Sequence, residues 1–297
     1  MVMRRLRNAI RPPHGSSTTI VFYCAVACLI LALSGTAKAA PIVFSASGGN
    51  PAAIQGQVDA FRAQLGTLNA NVAGSFGTGR REINWDGVPD AFSAPNNLPA
   101  NFFNVNSPRG VVFSTPGSGF QVSANAGLSP IEFGNINPSY PALFATFSPQ
   151  RLFTAIGSNI TDVDFFVPGT STDAATRGFG AVFTDVDITG STSLTFFDLN
   201  DIVLGTFNVL ASGGNGGLSF LGVFFNDPLP LVGRVRITSG TGALGPNDVG
   251  QGVDLVVMDD FIYGEPIALA AVATPAPASL PLLASSLLLL GVLRRRA

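Results

Sequence analysis

Between Gly110 and Gly264 the chain is cut into short runs rich in Val, Ile, Phe and Thr, each closed by Gly, Asn, Asp or Pro. β-Branched and aromatic side chains fit a pleated, half-buried surface, and the turn residues leave no room for a long helix. The candidate strands are Val111–Ser114, Gly119–Ser123, Ile131–Phe133, Leu143–Phe147, Arg151–Ile156 and Thr161–Val167. Gly178–Asp185, Ser193–Asp198, Ile202–Leu210, Leu218–Phe225, Val232–Thr238 and Asp254–Tyr263 complete the set. In Leu194–Phe197 and Arg234–Thr238 apolar and polar residues alternate, so one face is dry and the other wet. Asn200-Asp201 and the run Gly213–Gly217 are turn chemistry. A series of short strands with no helical period between them predicts a mainly β fold, an antiparallel β-sandwich of jelly-roll type.

One segment breaks this rhythm. Ile54, Val58, Phe61, Leu65 and Leu68 recur at spacings of four and three, which predicts an amphipathic helix over Pro51–Asn71. Asn50 is placed to cap it, with Pro51 at the first helical position. The helix is expected to lie on a sheet as a lid. A loop-rich region follows, Gly74–Pro108, and holds the densest mixture of polar and aromatic residues, Gly79 to Asp90, with the only tryptophan, Trp85, beside Asp86. Two readings stay open. Trp85 can stack on a sugar ring while Asp86 holds hydroxyls, or it can fill a core.

Both ends carry apolar runs flanked by arginines. Arg4, Arg5, Arg7 and Arg11 precede an apolar stretch from Ile20 to Leu33, and Ala37-Lys38-Ala39 supplies small residues for cleavage after Ala39. Residues 1–39 therefore read as a signal peptide and 40–272 as the exported domain. At the other end, Pro275-Ala276-Pro277 leads into an apolar run, Ala278 to Leu293, and then Arg294-Arg295-Arg296. A bilayer accounts for both parts, the apolar run in hydrocarbon and the arginines in the cytoplasm. The run is shorter than the ~20 residues of a comfortable span, and it contains Pro281, which favours a temporary signal over a permanent transmembrane anchor.

The order Pro-x-Pro, apolar helix, Arg-rich terminus resembles the PEP-CTERM sorting signal of proteins exported by Gram-negative bacteria, with Ala276 in place of the usual Glu. That resemblance covers residues 273–297. It implies delivery by the secretion machinery, cleavage by an exosortase-type processing enzyme, and residence at the cell surface or in a biofilm exopolysaccharide matrix. The run Met258 to Gly264 is similar to the closing strand of jelly-roll carbohydrate-binding modules.

Charge and residue usage narrow the chemistry. Cys24, Cys28, His14 and Lys38, the only residues of their types, all precede Ala40. From Ala40 to Leu293 eight arginines face all 18 acidic residues, a net charge of −10. Such a surface repels phosphate backbones, so nucleic acid is a poor partner. Without His, Cys or Lys the domain cannot build a Ser-His-Asp triad, a thiolate or imidazole zinc site, or a Schiff base. Only a carboxylate pair of the glycosidase kind is left for hydrolysis. Calcium needs only oxygen ligands, and Asp185 with Asp187, and Asp259 with Asp260, are the candidate pairs; the other reading is that they are solvated strand ends. The expectation is a non-enzymatic exported surface or matrix protein. A lectin-like carbohydrate-binding module, with or without calcium, is the alternative.

Overall fold

A computed structural model describes residues 40–124, 131–248 and 252–269. The expected signal peptide, with Ala37 and Ala39, lies outside them. So does the expected sorting segment, with Pro275, Ala276, Pro277, the apolar run 278–293 and Arg294, Arg295 and Arg296. Among the described residues no helix is long and apolar enough to cross a membrane.

The fold is mainly β, two antiparallel sheets with no closed barrel. The first sheet has seven strands: β1 (Ile42–Gly48), β2 (Arg80–Ile83), β4 (Gly119–Val122), β5 (Phe153–Ile156), β7 (Gly178–Thr184), β10 (Leu218–Phe224) and β12 (Val257–Gly264). Its order is β1-β10-β7-β12-β5-β4, with β2 also paired to β12. The second sheet has five strands: β3 (Val111–Ser114), β6 (Ile160–Phe165), β8 (Ser193–Phe197), β9 (Val203–Asn208) and β11 (Arg234–Thr238), in the order β3-β6-β11-β8-β9.

The main core lies between the sheets, because side chains from both enter one apolar cluster. Phe113 of β3 meets Phe153 of β5 at 5.0 Å between ring centroids, and Phe165 of β6 meets Tyr263 of β12 at 5.5 Å. In β11 the alternation seen in sequence is realised, with Val235 and Ile237 buried and Arg236 exposed. β7 and β10 show no such alternation, since every residue of both is buried. Their second face is covered by a helix, and a strand buried on both faces loses the polar half of its pattern.

That cover is α1 (Pro51–Leu65). Its N-terminus is capped by Asn50, whose side chain accepts a hydrogen bond from the Ala53 N–H at 3.3 Å. Ile54, Val58, Phe61 and Leu65 are buried against Val182, Phe220 and Ile262. Phe61 fits because Gly180 and Gly222 stand opposite each other across β7 and β10. A Cβ on either would come within 2.9 or 2.8 Å of the Phe61 ring. The helix stops short of the expected Asn71. Gly66 takes φ 99°, a conformation that glycine alone adopts without strain, and its N–H closes on the Arg62 carbonyl. Leu68, expected on the buried face, is 52% exposed.

Other departures have local causes. Ile131–Phe133 is a turn, because Glu132 and Phe133 have φ of 47° and 62°. In Leu143–Phe147 the chain leaves a short 3-10 turn at Tyr140–Ala142, and the Phe147 N–H bonds the Asp259 carboxylate instead of a ladder. β2 falls inside the expected loop region. It pairs with the second half of β12, Arg80 opposite Gly264 through Ile83 opposite Phe261. β5 meets the first half of that edge, Phe153 opposite Met258.

Candidate functional site

The loop leaving β2 fills the junction between β2 and β5. Trp85 takes φ 66°, unusual for a bulky residue, and is held there from several sides. Its ring stacks on Phe153 at 4.0 Å with 2° between planes, and meets Phe103 and Phe261 edge-on at 5.4 and 5.1 Å. The indole N–H donates to the Asp259 carbonyl at 2.9 Å, satisfying backbone that neither β2 nor β5 reaches. Trp85 is 1% exposed. Its partner Asp86 accepts hydrogen bonds from the Gln150 and Arg151 N–H groups at 2.6 and 3.1 Å. Burial pushes the Asp86 carboxyl up from its ordinary pKa, and those two bonds pull it back. Both residues singled out in sequence thus anchor the loop to the start of β5.

What the loop lines is a cavity of about 350 Å³. Trp85, Val88, Phe92 and Phe103 give it apolar walls, while Asn84, Asn106 and Arg109 supply polar groups. Arg109 has its guanidinium carbon 5.0 Å from the centroid of the Phe103 ring, and its Nη1 donates to the Ser107 hydroxyl. Its Nε is buried with no hydrogen-bond partner among the described residues. Burial lowers the Arg109 pKa from its ordinary value, and the positive charge of Arg81 pushes the same way. Arg81 itself is neutralised: it is fully buried and forms a two-pronged pair with Glu265, both bonds 2.8 Å. It also donates to the carbonyls of Ala70, Val72, Gly74 and Pro108, tying the chain after α1 to the loop before Arg109.

The candidate metal pairs fall in separate networks. A bulge in β12 between Met258 and Phe261 brings the adjacent Asp259 and Asp260 to the same neighbour. Asp259 accepts from the N–H groups of Phe147 and Ser148 at 2.6 and 3.2 Å, and Asp260 from the Ser148 hydroxyl at 2.7 Å. Arg62 of α1 also donates to Asp260, at 3.3 Å. Both carboxyls are buried, and desolvation raises their pKa, that of Asp259 well above the usual range, where the neighbouring Asp260 adds to the shift. Asp185 and Asp187 both lie beyond the end of β7. β7 ends at Thr184, and Asp185 has φ 70°. Asp187 accepts from the Gly214 N–H at 2.9 Å, and its own N–H bonds Asp254. Burial, reinforced by the charge of Asp187, raises the Asp185 pKa to about 7. Among the described residues no group of three or more His, Cys, Asp or Glu is placed to hold a metal ion.

Neither a protein family model nor a curated protein matches the chain. Among solved structures, the enzymatically active domain of bacteriophage CBA120 tailspike protein 4 aligns with 12% identity and a TM-score of 0.27. The alignment covers 65% of this chain and 23% of that one, and a likeness at that level carries no functional argument.

Sequence reasoning found the Trp85 loop but missed Arg109, Phe92 and Phe103. The adjacent aromatics Phe102-Phe103 were a partial signal. Nothing local distinguishes Arg109 from the seven other arginines of the domain, because what sets it apart is the partner it lacks.

Proposed function

We propose that this is an exported, non-enzymatic β-sandwich module of jelly-roll type that associates with extracellular polysaccharide through the cavity beside the Trp85 loop. The observation that carries the proposal is the cavity itself. Phe92, half-buried at its wall, offers an aromatic surface to the C–H face of a sugar ring, and the exposed Asn84 and Asn106 offer amides to hydroxyl groups. Delivery would use the signal peptide. Retention and processing by an exosortase-type enzyme would use Pro275-Ala276-Pro277, the apolar run and the terminal arginines. A non-enzymatic role is supported by the use made of the adjacent carboxyl pair on β12. Asp259 and Asp260 are buried and committed to Phe147, Ser148 and Arg62 rather than facing the cavity.

The direct test is a glycan array probed with the full-length protein and with Asn106→Trp. Asn106 is exposed and lines the cavity, so a bulky replacement blocks the space without disturbing the core. Saccharide binding that disappears in this variant is expected; binding that survives it, or no binding by either protein, overturns the proposal. Calcium is not required in this reading, so the melting temperature is expected to be the same with and without chelator, and a drop on chelation would assign the ion a structural role. Mass spectrometry of the mature protein tests the sorting step, with loss of Arg294–Arg296 as the expected result.

A further inference from the structure

The eight arginines of the exported domain have 18 carboxylates to choose from. Arg62, Arg80, Arg81, Arg151, Arg234 and Arg236 each have a carboxylate oxygen within 4.0 Å. Among the described residues Arg109 and Arg177 have none. Arg177 spends its guanidinium on the carbonyls of Asp227 and Pro228. Arg109 has only the Ser107 hydroxyl, on Nη1, and the face of Phe103. An excess of acids makes this vacancy a matter of placement, not of supply. A half-buried cation without a counter-charge is costly unless a ligand supplies one.

The Arg109 Nε is sealed from solvent, whereas Nη2 has no hydrogen-bond partner among the described residues and is the guanidinium nitrogen left to meet a carboxylate. Arg109 borders the cavity and is the one charged residue of its lining, the rest being apolar or uncharged polar. We infer that the cavity is an acidic-sugar site, in which Arg109 pairs with the carboxylate of a uronic acid residue while the half-buried Phe92 and the exposed Asn84 and Asn106 meet its ring. The sugar half of this inference rests on the polysaccharide reading above; the carboxylate half rests on Arg109 alone. The net charge of −10 opposes the approach of a polyanion at long range, and physiological salt screens that repulsion beyond ~8 Å. Recognition therefore depends on the short-range charge-assisted pair.

The experiment measures binding of a glucuronate oligosaccharide, and of the same oligosaccharide with its carboxyls reduced to the neutral sugar, to full-length protein. A charge-assisted pair of this kind corresponds to a loss of roughly 10- to 100-fold when removed. The wild type is expected to prefer the acidic form by that factor. Arg109→Gln is expected to lose the preference, Arg109→Lys to recover part of it, and Arg177→Gln to behave as wild type. Thermal melts establish that each variant is folded. Equal binding of acidic and neutral forms overturns the role of Arg109 and leaves the polysaccharide reading standing. Unchanged preference in a folded Arg109→Gln does the same. Failure of both oligosaccharides to bind overturns the inference and the reading beneath it.

Discussion

The two sheets are made of the same kinds of residue and meet water differently. The seven-stranded sheet is dry on both sides around β7 and β10, with α1 on one face and the second sheet on the other. The five-stranded sheet is dry on one side only. Its outer face carries Arg234 and Arg236 with Asp162 and Asp164, paired with part of each arginine side chain in solvent. In the first sheet the corresponding pair, Arg81 with Glu265, is shut away from water. An ion pair holds a fold in proportion to what its loss would strand in a dry place, and the two sheets supply both extremes.

The sharpest way to break this comparison is to open the dry side. Trp85→Ala removes a ring packed against Phe153, Phe103 and Phe261 and leaves the Asp259 carbonyl without its donor; a loss of about 3–5 kcal/mol is expected in urea unfolding. Arg81→Met strands Glu265 and is expected to cost about 3–5 kcal/mol, enough to prevent recovery of folded protein if the domain is only marginally stable. Gly222→Ala pushes a methyl against Phe61 and is expected to cost about 1–3 kcal/mol. Combining it with Phe61→Leu, which makes room, is expected to be less damaging than the sum of the two changes. Strict additivity would mean that the glycine slot does not seat the helix.

Acidity gives a gentler test. Asp185 has a folded pKa of about 7 against an ordinary 3.8, so folding takes up a proton between those values. Stability from this group therefore falls as pH rises from about 4 to about 7 and is level above that. Asp164, on the exposed face of the second sheet, acts in the same direction over a narrower range, with its pKa raised to about 6 by burial and by Asp162. Asp185→Asn is expected to raise the melting temperature by a few degrees at pH 7.5 and to leave it unchanged at pH 4. A pH profile identical to wild type would remove Asp185 as the source of the slope. The smallest effect belongs to the wet face. Arg236, whose side chain is 45% exposed, is expected to cost under about 1 kcal/mol when changed to Ala.

How far these features were legible beforehand differs along the chain. The alternation in Arg234–Thr238 announced a sheet with one wet face, and β11 has it. The spacing of Ile54, Val58, Phe61 and Leu65 announced a helix face, and those four are buried. β2 was hidden, because Arg80 to Ile83 carries three charges and reads as loop until Arg81 finds Glu265, 184 residues further along. Trp85 and Asp86 stood out with two readings open, ligand contact or core filling, and their contacts are with the chain itself. The cavity beside them has Arg109 on its wall, a residue with no local mark.

Periodicity, turn residues and the inventory of side chains are local properties, so the chain by itself determined a strand-and-turn architecture, an acid excess and the absence of thiol, imidazole and amine chemistry from the domain. Pairing is not local. The order of strands, the inward aim of Trp85 and the one arginine of the cavity wall without a carboxylate were decided only when distant segments met. Burial sets the cost of leaving a charge or an N–H unmatched, and burial is a property of the assembled structure.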